Sequence, residues 1–166
     1  MKIDNDHMYH GAALIQIAEH PKFTSINSLK VKTVVVENGY EVNDGIGVLL
    51  KYARKPVGRF GEYLFGFTQE NLGDIVRIDS ATNSLFLALV CVKAREICSL
   101  SYQEFCALIQ RRKTAKGADE DQYQILVTTP RGKGFRVYVN APGVKKRILG
   151  SAMIVSRSNF PEKIFG

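Results

Sequence analysis

The sequence feature that most constrains the fold is an almost wholly apolar stretch from Ser84 to Val92. Turn-forming residues at 79–83 precede it, and it is far shorter than the roughly 20 residues that a membrane helix needs. A short apolar run bounded by turn residues is typical of a strand that is covered on both faces of a sheet. We therefore predict that residues 84–92 form an interior strand of the main sheet.

The first half of the chain is predicted to follow the order α-β-β-β-α-β. Apolar residues at helical spacing predict a helix over about 10–20, and a second helix is expected over 69–78 with Thr68 as its cap. The Asn38-Gly39 pair predicts a turn. Before the interior strand, β-branched and apolar runs predict strands at 31–36, 45–53 and 62–67.

The second half is predicted to follow the order β-α-β-β-β. A strand at 96–100 is expected to pair with 84–92, and Ser101 and Glu104 form a capping box that begins a helix ending near residue 113. Three further strands are expected at 124–129, 135–140 and 148–156. The chain of 166 residues is therefore predicted to be a single α/β domain, spanning 1–166, with a mixed central β-sheet flanked by helices.

The cysteines predict the cellular compartment. Cys91, Cys98 and Cys106 are odd in number and lie in apolar surroundings, which favours buried free thiols over disulfides. Free thiols are typical of a reducing compartment. With no apolar run long enough to cross a membrane, the sequence predicts a cytoplasmic protein that has no membrane partner.

Charge is distributed unevenly along the chain. Residues 101–166 contain 12 Lys and Arg against 5 Asp and Glu, and this part carries the whole formal net charge of +7. Such asymmetry predicts either an anionic partner or a solvated basic face that keeps the protein in solution.

Within residues 93–166, the basic half, two loops flank a predicted strand. One loop contains Arg131 and Lys133 among glycines, and the other contains Lys145-Lys146-Arg147. Alternation on the strand between them places Arg136 and Tyr138 on one face, where a guanidinium binds phosphate and a ring stacks on a base. The predicted nucleic-acid-binding residues are Arg131, Lys133, Arg136, Tyr138, Lys145, Lys146 and Arg147. The alternative is a solvated edge strand that charge protects from aggregation.

The predicted order of elements over residues 10–92 resembles the core of the restriction-endonuclease-like superfamily. That family places an Asp at the start of the second strand and an Asp/Glu-x-Lys motif on the third, and Asp44 and Glu62 occupy these positions. The resemblance implies that both carboxylates hold Mg²⁺ and act in catalysis. The motif's Lys is replaced by Leu64, and the substitute is Lys51, although strand alternation directs Lys51 away from the face of Asp44.

Other catalytic motifs are absent from the sequence. His7 and His10 lack neighbouring ligands at metal-binding spacing, so surface or capping roles are expected, and no Ser or Cys has a nucleophile's local context. We therefore predict a non-catalytic protein that binds nucleic acid through its basic half and needs no cofactor. Two alternatives remain: a metal-dependent nuclease that uses Mg²⁺, and a protein-interaction module that docks on an acidic partner.

Overall fold

The computed structural model describes all residues from 1 to 166, which form four helices and nine strands. The helices are α1 (Asn5–Ala18), α2 (Gln69–Ala81), α3 (Tyr102–Lys116) and α4 (Glu162–Phe165). The strands are β1 (Ile26–Val31), β2 (Val34–Val42), β3 (Ile46–Ala53), β4 (Tyr63–Thr68), β5 (Ser84–Cys91), β6 (Glu96–Ser101), β7 (Gln122–Thr128), β8 (Phe135–Tyr138) and β9 (Met153–Val155). None of the helices combines the length and the apolar character that crossing a membrane requires.

The first sheet has five strands in the order β1-β2-β3-β5-β6. Its β3 and β5 strands are parallel, and the other neighbours are antiparallel, so the sheet is mixed. Strand β5 lies between β3 and β6, and its residues from Leu87 to Cys91 are all buried. The prediction of an interior strand at 84–92 is therefore confirmed.

The second sheet has four antiparallel strands in the order β4-β7-β8-β9. Alternate residues on these strands face the first sheet, and both sheets contribute to one core of 23 buried residues that includes Phe65, Val137 and Leu87. The prediction of an α/β chain with a mixed sheet and flanking helices is confirmed. The division of the strands into two sheets is a feature that local sequence patterns do not contain, because they do not specify which strands pair.

Capping residues determine where the helices begin. Thr68 caps α2 and the Ser101–Glu104 capping box begins α3, as predicted. Helix α1 begins earlier than predicted because Asp4 and His7 form a further capping box. This helix covers the other face of the first sheet, where Ala13 and Ile17 are buried in a second core cluster of 10 residues.

Three predictions about the strands and turns are wrong in detail. Asn38 and Gly39 lie inside β2 and make no turn, since the register between β1 and β2 shifts beside them and Asn38 adopts the left-handed φ of 58°. Asn tolerates this conformation, so the pair accommodates an irregularity in the strand. The chain reverses instead at Lys32 (φ 59°), which splits the predicted strand at 31–36 between β1 and β2. Of the predicted strand at 148–156, only Met153–Val155 is a regular strand.

Candidate nucleic-acid interface

A cleft of about 400 Å³ lies at one end of the second sheet. One wall is the loop between β3 and β4, which contributes Pro56 and Phe60. The sheet contributes Arg136 and Tyr138 from β8, and the loop after β8 contributes Lys146. Glu62 also lines the cleft. It therefore lies with Arg136, Tyr138 and Lys146 of the predicted nucleic-acid-binding set, and not with Asp44 and Lys51, its predicted partners in a nuclease site.

The floor of the cleft is a hydrogen-bonded pair formed by Glu62 and Tyr138. The Tyr138 hydroxyl donates to Oε2 of Glu62, and both residues are buried, with 2% of Tyr138 and 8% of Glu62 exposed. Burial raises the pKa of Tyr138, and the neighbouring carboxylate of Glu62 raises it further. The tyrosine therefore remains a neutral donor at physiological pH.

The prediction that Tyr138 is exposed for base stacking is wrong. Tyr138 and Arg136 do share one face of β8, and the Arg136 guanidinium lies 5.9 Å from the centre of the Tyr138 ring. The ring is nevertheless buried, because its hydroxyl is engaged by Glu62 and the ring lies beside Leu126 on the paired strand. Only Arg136 remains accessible on this face.

The rim of the cleft is basic and carries one exposed aromatic ring. Phe60 is 60% exposed, and the Arg59 guanidinium lies 6.0 Å from the centre of its ring. Arg136 and Lys146 are also exposed. Sequence reasoning missed Phe60 because the loop at 54–61 suggested only a break between strands. An aromatic residue between a cation and a glycine in such a loop was the available signal.

Arg131 and Lys133 lie next to the cleft, in the turn between β7 and β8. They line a shallower groove together with Arg157. Arg157 pairs with Glu96 at 2.5 Å and also donates to the backbone carbonyl of Lys133 at 3.0 Å. The turn is therefore anchored through its backbone, which leaves the Arg131 and Lys133 side chains free at the surface.

Some cations of the basic half are bonded to other groups of the protein, and others are exposed without a salt bridge. In the basic half, four cations form salt bridges, namely Arg112, Lys113, Arg157 and Lys163. Arg111 donates to the backbone carbonyls of Leu149 and Ser151. The six cations predicted to bind nucleic acid are all exposed and make no salt bridge: Arg131, Lys133, Arg136, Lys145, Lys146 and Arg147.

The position of Arg136 also bears on the alternative of a charged edge strand. Strand β8 lies between β7 and β9 and is hydrogen-bonded on both sides. Arg136 therefore does not protect an open edge of the sheet. The alternative of a charged edge strand does not explain why this exposed position carries a cation.

The predicted nuclease residues do not converge. Asp44 lies in the exposed turn before β3, where the carbonyl of the adjacent Gly45 accepts from the Asn83 backbone amide. Glu62 precedes β4, and the adjacent Tyr63 hydroxyl accepts from the Ala94 amide beyond the far end of β5. Strand β3 has 8 residues and is roughly 26 Å long, and these contacts place Asp44 and Glu62 toward opposite ends of it. The two residues do not meet because β3 belongs to the first sheet, whereas β4 belongs to the second.

Lys51 is also not part of a catalytic site with the two carboxylates. Its Nζ donates to the backbone carbonyl of Gly66 at 2.6 Å and lies 4.8 Å from the centre of the Phe67 ring. Burial lowers the pKa of Lys51. No group of three or more His, Cys, Asp or Glu side chains in the structure is placed to hold a metal ion.

His10 is buried, contrary to the prediction of a surface or capping role, whereas His7 does cap α1. The His10 ring is 3% exposed, packs edge-on against Tyr52 at 5.3 Å, and lies beside Lys51 in a cavity of about 200 Å³. Neither ring nitrogen has a hydrogen-bond partner in the protein, and burial lowers the pKa of His10. The spacing of His10 from Ala13 and Ile17 was a usable sign that it lies on the buried face.

No protein-family model, curated protein or solved structure matches this chain. The resemblance to the restriction-endonuclease-like superfamily therefore stays a prediction. The fold and the cleft define the chain as a mixed α/β domain with two packed sheets and a basic cleft at the end of the second sheet. Any statement about function depends on the chemistry of that cleft.

Proposed function

We propose that this protein binds nucleic acid without catalysis, through contacts between its basic cluster and the phosphate backbone. The basic cluster is Arg131, Lys133, Arg136, Lys145, Lys146 and Arg147. The observation that carries the proposal is that all six are exposed and unpaired, while most other cations of the basic half have partners in the protein. Exposed Lys and Arg side chains are the groups that contact phosphates.

The arrangement of the cluster favours backbone contacts. Two of its members, Arg136 and Lys146, line the cleft, and two others line the neighbouring groove. A phosphate chain presents a regular line of negative charges, which such a spread of cations matches. Contacts of this kind supply affinity with little sequence preference. The free cysteines support a cytoplasmic location, where thiols stay reduced.

The test is a charge-removal variant in which Lys145, Lys146 and Arg147 are all replaced by Gln. We expect weaker binding of fluorescent oligonucleotides of every sequence. The salt dependence should also become shallower, by about 0.9 in log–log slope for each phosphate of duplex DNA that the variant no longer neutralises. A matched control replaces three exposed lysines by Gln, namely Lys22, Lys30 and Lys32. They lie before, in and just after β1, in the first sheet.

The control variant loses the same charge but should keep the affinity and salt slope of the unmodified protein. Equal reductions in the two variants would show that only net charge matters and would overturn the assignment to the basic cluster. An absence of binding to every oligonucleotide at low salt would overturn the proposal itself. That result would favour the alternative in which the same cations dock on an acidic protein.

A further inference from the structure

The Glu62 carboxylate has one oxygen that the protein leaves without a donor. Its Oε2 accepts from Tyr138, but no protein group donates to Oε1, and Glu62 forms no salt bridge. Glu62 is nevertheless 8% exposed and lines the cleft. Oε1 is not among the buried side-chain atoms that lack a partner, so it meets solvent in the cleft. A ligand that enters the cleft can therefore donate a hydrogen bond to Oε1 in place of water.

The walls around Glu62 suit a flat ligand that is attached to a phosphate. Phe60 is exposed above the cleft and offers an aromatic face, and Arg136 and Lys146 stand at the rim. An aromatic face stacks on a base of any kind. The volume of about 400 Å³ lies within the range of small-molecule pockets. The cleft thus combines a stacking surface, phosphate-binding cations and a hydrogen-bond acceptor on its floor.

We propose that the cleft holds one unpaired base of a single strand and that Glu62 selects guanine. This inference rests on the proposed nucleic-acid binding and adds a base preference to it. A carboxylate only accepts hydrogen bonds. Guanine presents two adjacent donors on its Watson–Crick edge, N1–H and the N2 amino group, and both can reach a carboxylate. Thymine and uracil present one N–H between two carbonyl oxygens, which a carboxylate repels.

Pairing in a duplex occupies the Watson–Crick edge, so the preference applies to single strands. Cytosine and adenine each offer one amino group beside an acceptor nitrogen, and they should rank between guanine and thymine. Tyr138 contributes as a positioning residue, because its hydroxyl holds the carboxylate in place.

The experiment measures fluorescence anisotropy with short oligothymidine strands, with either thymine, guanine or inosine at the central position. We expect the guanine strand to bind about tenfold more tightly than the all-thymine strand, in the range of one good bidentate base contact. Inosine lacks the N2 amino group, so its strand should show only part of this increase. This comparison uses the unmodified protein, so its result does not depend on whether a variant folds.

The Glu62→Gln variant should lose the guanine preference, because the amide has only one acceptor oxygen and no longer repels the thymine carbonyls. Glu37→Gln is the matched control, because it removes one carboxylate from an exposed position on β2. This control should keep the preference. Equal binding of the guanine and thymine strands by the unmodified protein would overturn the inference and leave the proposed function intact. A preference that survives in Glu62→Gln would also overturn it, whereas failure to bind any strand would overturn the proposed function.

Discussion

Tyr138 donates a hydrogen bond to Glu62 across 76 positions of the chain. The bond joins the end of β8 to the residue that precedes β4, two strands that are not neighbours in the second sheet. It also buries both polar groups at the floor of the basic cleft. The pair therefore links the stability of the second sheet to the shape of the candidate site.

Replacing Tyr138 by Phe should destabilise the protein. The change leaves the buried Glu62 carboxylate without its donor, and an unsatisfied buried group of this kind costs about 1–3 kcal/mol. The measurement is the free energy of unfolding from urea denaturation at neutral pH. Tyr40→Phe is the matched control, because Tyr40 is partly buried and its hydroxyl makes no hydrogen bond in the protein. Equal effects of the two substitutions would contradict the role of the Glu62 bond.

The Arg112–Glu120 pair should stabilise the fold in a pH-dependent way. The guanidinium contacts both carboxylate oxygens, at 2.7 and 2.8 Å, and both side chains are largely buried. A double-mutant cycle with Arg112→Gln and Glu120→Gln should give a coupling free energy of about 1 kcal/mol at pH 7. The Arg112 guanidinium lowers the pKa of Glu120 below its ordinary value of 4.5. The coupling should therefore be complete above pH 4.5 and disappear as the pH falls through the lowered value.

The neighbouring Lys113–Asp119 pair provides the control for this cycle. It is longer, at 3.5 Å, and its carboxylate is exposed to solvent. An exposed pair of this kind contributes about 0–1 kcal/mol, usually near the lower end. A coupling as large as that of Arg112 and Glu120 would show that burial and bidentate geometry do not distinguish the two pairs.

His10 should make the protein less stable as the pH falls below 6.5, its ordinary pKa. Burial lowers the pKa of the folded-state imidazole, Asp6 and the Asn38 side chain oppose this effect, and Lys51 adds a smaller lowering. The unfolded chain therefore takes up a proton first, and stability falls between pH 6.5 and the lower folded-state value. Unfolding free energies at pH 7.5, 6.5 and 5.5 should show this slope in the unmodified protein and not in His10→Leu.

Ile17→Val is the control for the pH experiment. It removes one methylene from the same buried face of α1 and should cost about 0.5–1.5 kcal/mol at every pH. Its slope between pH 7.5 and 5.5 should match that of the unmodified protein. A slope that persists in His10→Leu would assign the effect to another group.

The three thiols should differ in reactivity. Burial raises the pKa of Cys91 to about 12 and that of Cys98 well above its ordinary value, whereas Cys106 is only half-buried. The thiolate is the reactive form, so Cys91 and Cys98 should resist alkylation in the folded protein. Mass spectrometry after brief iodoacetamide treatment should find a single modification at Cys106, which Cys106→Ser removes. Rapid modification of Cys98 under native conditions would contradict its burial.

Elements with strong local signals could be predicted from the sequence. The apolar run at 84–92 predicted β5, and the residues that cap α2 and α3 were identifiable from a few neighbouring positions. The basic half was likewise visible as an excess of charge. The six cations of the basic cluster are exposed in the structure, and Arg157, which the predicted set did not include, anchors a turn.

The cleft itself was decided by the tertiary structure. Alternation on β8 placed Arg136 and Tyr138 on one face, but it could not show that Glu62 reaches Tyr138 and removes its ring from solvent. Local patterns likewise could not show that the strands following Asp44 and Glu62 belong to different sheets. Periodicity and capping depend on residues a few positions apart, so a sequence determines them directly. Which strands pair, and which side chains then meet, depends on packing among segments that are distant in the chain, and only the folded core decides it.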